Sequence, residues 1–216
     1  MEFIKSKFTK SFKMKKSCSF YIALCALVLA GVVFPLVLTS CASTRPSAQK
    51  ECSRIIDKNG VKNEQQLVAF FFSHENTSKI DIDKVERLAN YYIMECKFEG
   101  INSDIAFVQM CHETGFLNYG NLVKPEMNNF CGLGAINAEQ PGLSFESEQL
   151  GVKAHVQHLH AYGTTRTLKG ECVDPRYRYV NPRGKSPDVF GLAGTWAADR
   201  EYGVKLDKLL AELSQF

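Results

Sequence analysis

The sequence predicts a mainly α domain (α+β overall), in which a small loop or β-hairpin lobe lies beside a cleft. Three observations predict it. Apolar residues recur at helical spacing over 82–98 and again towards the C-terminus, at Tyr202, Leu206, Leu209, Leu210 and Leu213. Helix-ending residues, Gly100 and Gly115, close two of the apolar segments. Residues 116–146 are rich in Gly, Asn and Pro, and a compact domain keeps a loop of that length for function.

The chain opens on a basic stretch, Lys5, Lys7, Lys10, Lys13, Lys15 and Lys16, followed by an uncharged, mostly apolar stretch from 17 to 40. Leu38-Thr39-Ser40-Cys41 ends it. The order of basic, apolar and small residues is that of a secretory signal. With a Cys where the small residues end, it resembles the bacterial lipoprotein signal, which implies that Cys41 is lipidated and becomes the new N-terminus. A permanent membrane span is the other reading, since the stretch is long enough to cross a bilayer. Either way the domain is expected at the cell envelope, tethered outside the cytoplasmic membrane on a periplasmic or outer face, through lipid on Cys41 or through the uncleaved span. Residues 1–40 are then the signal, 41–63 a lipidated tether and 64–216 the domain.

Charge must be counted without the signal. The chain holds 26 Lys+Arg and 23 Asp+Glu. Six of the former and one of the latter lie in 1–40, so 20 and 22 remain, a net charge of −2. Nucleic acid as a partner has no electrostatic support. Of eight cysteines, Cys18 and Cys25 fall in the signal and Cys41 at its end. Cys52, Cys96, Cys111, Cys131 and Cys172 remain. None is spaced as a zinc site, and Cys96 and Cys111 fall on helical faces where a small buried apolar residue is expected. A disulfide between two of the five stays open.

Glu64–Ser73 reads as a first helix with Leu67, Val68, Phe70, Phe71 and Phe72 as its apolar patch. Ile82 to Phe98 is a second, with Val85, Ala89, Tyr92, Ile93 and Cys96 inward. Ser103 is the expected N-cap of a third that runs to Thr114. Its face of Ile105, Val108 and Cys111 turns to the core. Ala106 and Gln109, at helical spacing below Glu113, are expected to floor a cleft. Ser147 to Tyr162 is a fourth helix, with His155, His158 and His160 read as facing solvent; no His-Glu-x-x-His makes them a metal site. Asp199 is expected to cap the last helix.

The segment with most chemistry is Met110-Cys111-His112-Glu113-Thr114-Gly115-Phe116, followed by Asn128-Asn129-Phe130-Cys131-Gly132-Leu133. It puts a carboxyl group in the last turn of an apolar helix, beside a loop. That is a place to build a general acid that protonates the leaving oxygen of a glycosidic bond. These motifs resemble the glucosaminidase domain of glycoside hydrolase family 73, which cleaves peptidoglycan. The resemblance rests on Glu113-Thr114-Gly115 and on Asn128-Asn129-Phe130-Cys131-Gly132-Leu133. It continues in Val173–Val180, in Gly191-Leu192-Ala193-Gly194 and in Trp196-Ala197-Ala198-Asp199-Arg200-Glu201-Tyr202-Gly203-Val204-Lys205-Leu206. It covers roughly residues 64 to 214, with the His-Glu-Thr-Gly subgroup as the nearest form.

The resemblance implies a lysozyme-like helical fold, Glu113 as acid, and no cofactor or metal. It implies peptidoglycan glycan strands as the partner. Asn128, Asn129 and Phe130 are expected to line a mobile wall of the glycan groove. Trp196 and Tyr202, with Tyr177 and Tyr179, are aromatics suited to sugar faces. Glycosidases commonly use two carboxylates. Glu139, Glu146 and Glu148 are candidates for the second, and Glu146 is preferred for its place at the end of the loop lobe. Two functions stand: a lipid-anchored hydrolase of the N-acetylglucosaminyl bond, with a lytic transglycosylase as its variant, or a non-catalytic glycan-binding lipoprotein.

Overall fold

The computed structural model describes residues 50–216. The signal, Cys41 and most of the expected tether lie outside them. Five α-helices make up the described part: α1 (Glu64–Ser73), α2 (Ile82–Glu99), α3 (Ser103–Thr114), α4 (Glu148–Gly163) and α5 (Tyr202–Leu213). Among the described residues, none of these helices is long and apolar enough to cross a membrane.

Local chemistry explains where the helices begin and end. Asn63 and Gln66 form a reciprocal capping box at the start of α1, with side-chain to backbone bonds of 3.0 and 2.9 Å. Asn102 rather than Ser103 caps α3, accepting from the amides of Asp104 and Ile105. Ser147 caps α4 through Leu150. Asp199 is not the cap it was expected to be but stands two residues before Glu201, which occupies the N-cap of α5. It accepts from the Glu201 amide at 2.9 Å and pairs with Lys205 at 2.6 Å, so it holds the turn that leads into the helix.

Helix α3 is the centre of the molecule and touches each of the other four. Every residue from Ser103 to Cys111 is buried. Burying side chains such as Ile105, Phe107 and Met110 stabilises the fold by roughly 1.5–3 kcal/mol each. A helix buried all round must satisfy its polar residues inside the protein. Asp104 does so by accepting from the amides of Val61 and Lys62 at 2.9 and 3.1 Å. The expected division of α3 into a core face and a cleft floor is therefore corrected. Ala106 and Gln109 are as fully buried as Ile105 and Val108.

Two further expectations change. Residues 52–62 are part of the domain, because Cys52 and Ile56 are in its core. Arg166 grips Asp57 with two guanidinium bonds, and Ile56 fits where a side chain on Gly163 would collide. The histidines of α4 also face inward: His155 and His160 are wholly buried and His158 nearly so. The reason is the covering segment 164–186, whose backbone bonds to Ala161 and Tyr162 and whose Val173 and Asp174 amides bond Gln157. The loop lobe of 116–146 carries one isolated bridge, Asn137 to Gln140, and no longer strand. The five cysteines of the described part are free, four buried and Cys172 exposed.

Candidate active site

Glu113 owes its place to the way α3 stops. Gly115 takes the left-handed conformation, φ 56°, with open space where a Cβ would stand. Conformation, not room, demands the glycine. Phe116, Leu117 and Tyr119 follow with φ of 54°, 60° and 54°. Each left-handed non-glycine residue costs on the order of 1 kcal/mol or more. Packing offsets it: the Phe116 ring stacks on His74 at 4.1 Å, and the Leu117 amide donates to Thr114 at 3.0 Å. The result is a sharp reversal that brings residues 119–123 alongside Glu113.

The carboxylate is held on its other side by the C-terminal segment. Glu113 Oε1 accepts from the Trp196 indole at 3.0 Å and from the Tyr202 hydroxyl in a very short bond. Glu113 Oε2 has no hydrogen-bond partner among the described residues. Tyr202 is itself buried, and its hydroxyl accepts from the Gln109 amide at 2.9 Å. Burial, reinforced by the Glu113 charge and by the hydrogen bond to it, holds the Tyr202 phenol well above the ordinary range. It keeps its proton and acts as a donor. His112 packs edge-on to the Tyr202 ring at 5.4 Å.

An open cleft of about 470 Å³ lies over Glu113. Its walls are Tyr119–Val123, then Asn129, Cys131, Gly132 and Ala135, and on the far side Trp196, Ala197 and Tyr202. Among the described residues Glu113 is the one carboxylate in that lining. Burial, with the Glu113 charge next in weight, pushes the Cys131 thiol well up, so it is a neutral wall.

The structure brings Glu113, Trp196, Tyr202 and Asn129 to the cleft and leaves other expected residues elsewhere. Phe130 is not a groove residue but fully buried core. Gly151 of α4 explains it: a Cβ there would lie 1.8 Å from the Asn128 carbonyl and 3.3 Å from the Phe130 ring, so the helix and the loop meet in close contact. Asn129 is 1 % exposed, and its side chain is spent on the loop itself. Its amide donates to the Leu133 and Leu143 carbonyls and its oxygen accepts from the Leu133 amide, all at 2.9 Å. Asn128 likewise donates to the Phe145 carbonyl at 3.0 Å. The Asn-Asn pair is a staple that ties this wall to itself, from residue 128 to Phe145.

Glu146 is exposed and does not line the cleft. Glu148 is held by Arg87 at 3.0 and 3.2 Å, and Glu139 lines a separate groove with Tyr179. The Tyr177 hydroxyl meets His160 and Arg183, away from the cleft. Trp196 and Tyr202 line the cleft and stand beside the Glu113 carboxylate as its two donors. Gln109, expected on the cleft floor, instead lies buried behind Tyr202 and donates to its hydroxyl, and Tyr119 lines the cleft with no motif to mark it. A Gln inside an otherwise apolar buried helix was the available signal for the first.

The family described as Glucosaminidase: Mannosyl-glycoprotein endo-beta-N-acetylglucosaminidase matches residues 89–215, which include α3, the cleft loops and α5. A protein of Borreliella burgdorferi (strain ATCC 35210 / DSM 4680 / CIP 102532 / B31), described as an uncharacterized protein, is 41% identical over 145 residues. Those residues are 67% of this chain and 71% of that one. No solved structure matches the chain. With Glu113 in a cleft framed by the matched segment, the chain belongs to the glucosaminidase family of glycoside hydrolases.

Proposed function

We propose that this protein hydrolyses the N-acetylglucosaminyl bond of peptidoglycan glycan strands, with Glu113 as general acid. The observation that carries the reading is the pair of donors, Trp196 and Tyr202, on one oxygen of a carboxylate that opens onto a cleft. With Oε1 occupied, Oε2 is the atom that bears the proton and passes it to the glycosidic oxygen. The bond from the anomeric carbon to that oxygen then breaks, water adds to the anomeric carbon, and the proton it sheds returns through solvent to Glu113. Negative charge appears on Glu113 as the proton leaves. The indole and phenol hydrogens already point at it, so the charge is stabilised without rearrangement.

A lytic transglycosylase is the second reading, favoured by the single carboxylate of the cleft lining. Such an enzyme uses one Glu, and a hydroxyl of the sugar takes the place of water. Mass spectrometry of fragments released from purified cell walls decides. Reducing N-acetylglucosamine ends are expected. Anhydro-muramic ends replace hydrolysis with transglycosylation, and no released fragment leaves a binding protein.

The domain is further proposed to be tethered at the cell envelope by lipid on Cys41. The order of basic residues, apolar stretch and Ser40-Cys41 supports it. Cys41→Ala should accumulate as unprocessed precursor without acyl label. Unchanged labelling of that variant rules the site out.

A further inference from the structure

We infer that Gln109 and His155 are positioning residues of the acid: a one-way chain of hydrogen bonds runs from Tyr92 through them to Tyr202 and compels Tyr202 to donate to Glu113. The inference rests on reading Glu113 as the acid, and it assigns a role to a histidine of α4 that makes no contact with the cleft.

The links are short and sheltered. Tyr92 Oη lies 2.8 Å from His155 Nδ1, and His155 Nε2 lies 3.1 Å from Gln109 Oε1. Gln109 Nε2 donates to Tyr202 Oη at 2.9 Å, and Tyr202 Oη donates to Glu113 Oε1. Tyr92, His155 and Gln109 are each 0 % exposed, so their bonds are to one another and not to solvent.

The direction follows from hydrogen counting. An amide NH₂ only donates and an amide oxygen only accepts. Gln109 therefore gives a hydrogen to the Tyr202 oxygen, and the single hydrogen of Tyr202 is left for Glu113. Gln109 Oε1 then requires a donor, which is His155 Nε2–H. Burial, with His158 acting in the same sense, pushes His155 down to about 3, so its ring is neutral and has one hydrogen. Nδ1 is bare and accepts from Tyr92. If the Gln109 amide were turned over, the Tyr202 hydrogen would go to Gln109 and a lone pair would face the carboxylate. His155, as an Nε2–H donor, blocks that arrangement.

The same histidine also backs the second donor. The Trp196 ring lies 5.8 Å from His155, 5.2 Å from His158 and 5.2 Å from Tyr162. His158 is itself fixed by Asp174 at 2.7 Å. Both hydrogen bonds to Glu113 Oε1 are thus supported from α4, and the proton of the acid is confined to Oε2.

Two measurements test the chain. In the full-length, detergent-solubilised protein with ¹⁵N-labelled histidine, NMR at neutral pH should show His155 as a neutral ring with its hydrogen on Nε2. A hydrogen on Nδ1, or a charged ring, overturns the inference, and this readout is independent of activity. Loss of the Glu113 assignment would show separately, as an active Glu113→Gln variant. In kinetics, Gln109→Met should lower kcat on the order of tenfold, the value of one hydrogen bond, with KM within about twofold. Combined with Tyr202→Phe it should cost nothing more, because Gln109 acts through that hydroxyl. Losses that multiply in the double variant, or a loss confined to KM, overturn it. If Gln109→Met does not fold, the histidine spectrum of the unmodified chain still decides.

Discussion

The two walls of the cleft are built on different principles. The C-terminal wall, Trp196 and Tyr202, touches the Glu113 carboxylate directly and is backed by buried polar partners on α3 and α4. The loop wall, Tyr119–Val123 with Cys131–Ala135, makes no hydrogen bond to Glu113 among the described residues. Its side-chain bonds are spent inside itself, at Asn128 and Asn129. On the proposed function, one wall governs the acid and the other defines the space in which a sugar lies. Rigid helices hold a reacting group more precisely than loops do, and loops shape a cleft without altering the core.

The largest effect expected on this division is at the acid itself. Glu113→Gln keeps the shape and the hydrogen-bonding oxygen but removes the transferable proton. Activity on purified cell walls should fall by ~10²–10⁴-fold in a domain that stays folded. Wild-type turnover by a folded Glu113→Gln protein would falsify the assignment and leave the C-terminal wall without a chemical role.

The next effect falls on stability, and it separates the loop wall from the substrate. Phe130 is fully buried beside Gly151. Phe130→Ala should lower stability by roughly 3–5 kcal/mol, while the fraction that remains folded keeps its affinity for glycan. An unchanged melting temperature with weakened glycan binding would return Phe130 to the groove and undo the comparison.

Most of the helical frame was legible in the sequence because its signals are local. Periodicity located α1, α2 and α5, and the Gly115 stop placed Glu113 in the last turn. The residues that failed are those whose partners are far along the chain. Asn129 reads as a polar loop residue, yet one of its bonds reaches Leu143, fourteen residues on. His155 reads as a polar position on an amphipathic helix, yet Tyr92 and Gln109 enclose it. The segment 164–186 that covers α4 has no periodicity to announce that it lies on a helix. Ile56 fell into the expected tether for the same reason, since its pocket is made by Gly163. The family motif marked Trp196 and Tyr202, which line the cleft, but nothing in it marked them as donors to Glu113.

The buried polar backing of the C-terminal wall gives stability a pH dependence. His155 takes up a proton only near pH 3 when folded, against an ordinary 6.5 when unfolded. Between those values the unfolded chain binds a proton that the folded chain refuses. This stability is fully present above about pH 6.5 and is lost as pH falls towards 3. His160, also pushed down by burial, acts in the same direction. At pH 5 the loss from His155 amounts to about 2 kcal/mol relative to neutral pH. Asp57 and Asp199 are held below the usual carboxylate range, so their losses begin at lower pH. Urea midpoints at pH 7 and pH 5 measure the change, which should shrink in His155→Gln. An equal shift in that variant would place the titration elsewhere.

The smallest expected effect is at Glu146, and it tests the loop wall where the comparison is most exposed. Glu146 stands in solvent immediately before the Ser147 cap of α4, outside the cleft lining. If the loop wall shapes space and contributes no titrating group, Glu146→Gln should leave kcat and KM within about twofold of wild type. A second carboxylate taking part in glycosidic cleavage would behave differently, because losing a positioned acid or base costs ~10²-fold or more. A loss of that size would mean that the loop carries Glu146 into the cleft when glycan binds, and that both walls take part in the chemistry. Activity near wild type removes Glu146 from the chemistry and leaves Glu113 as the one carboxyl group lining the cleft among the described residues, with the donors from Trp196 and Tyr202 to account for its reactivity.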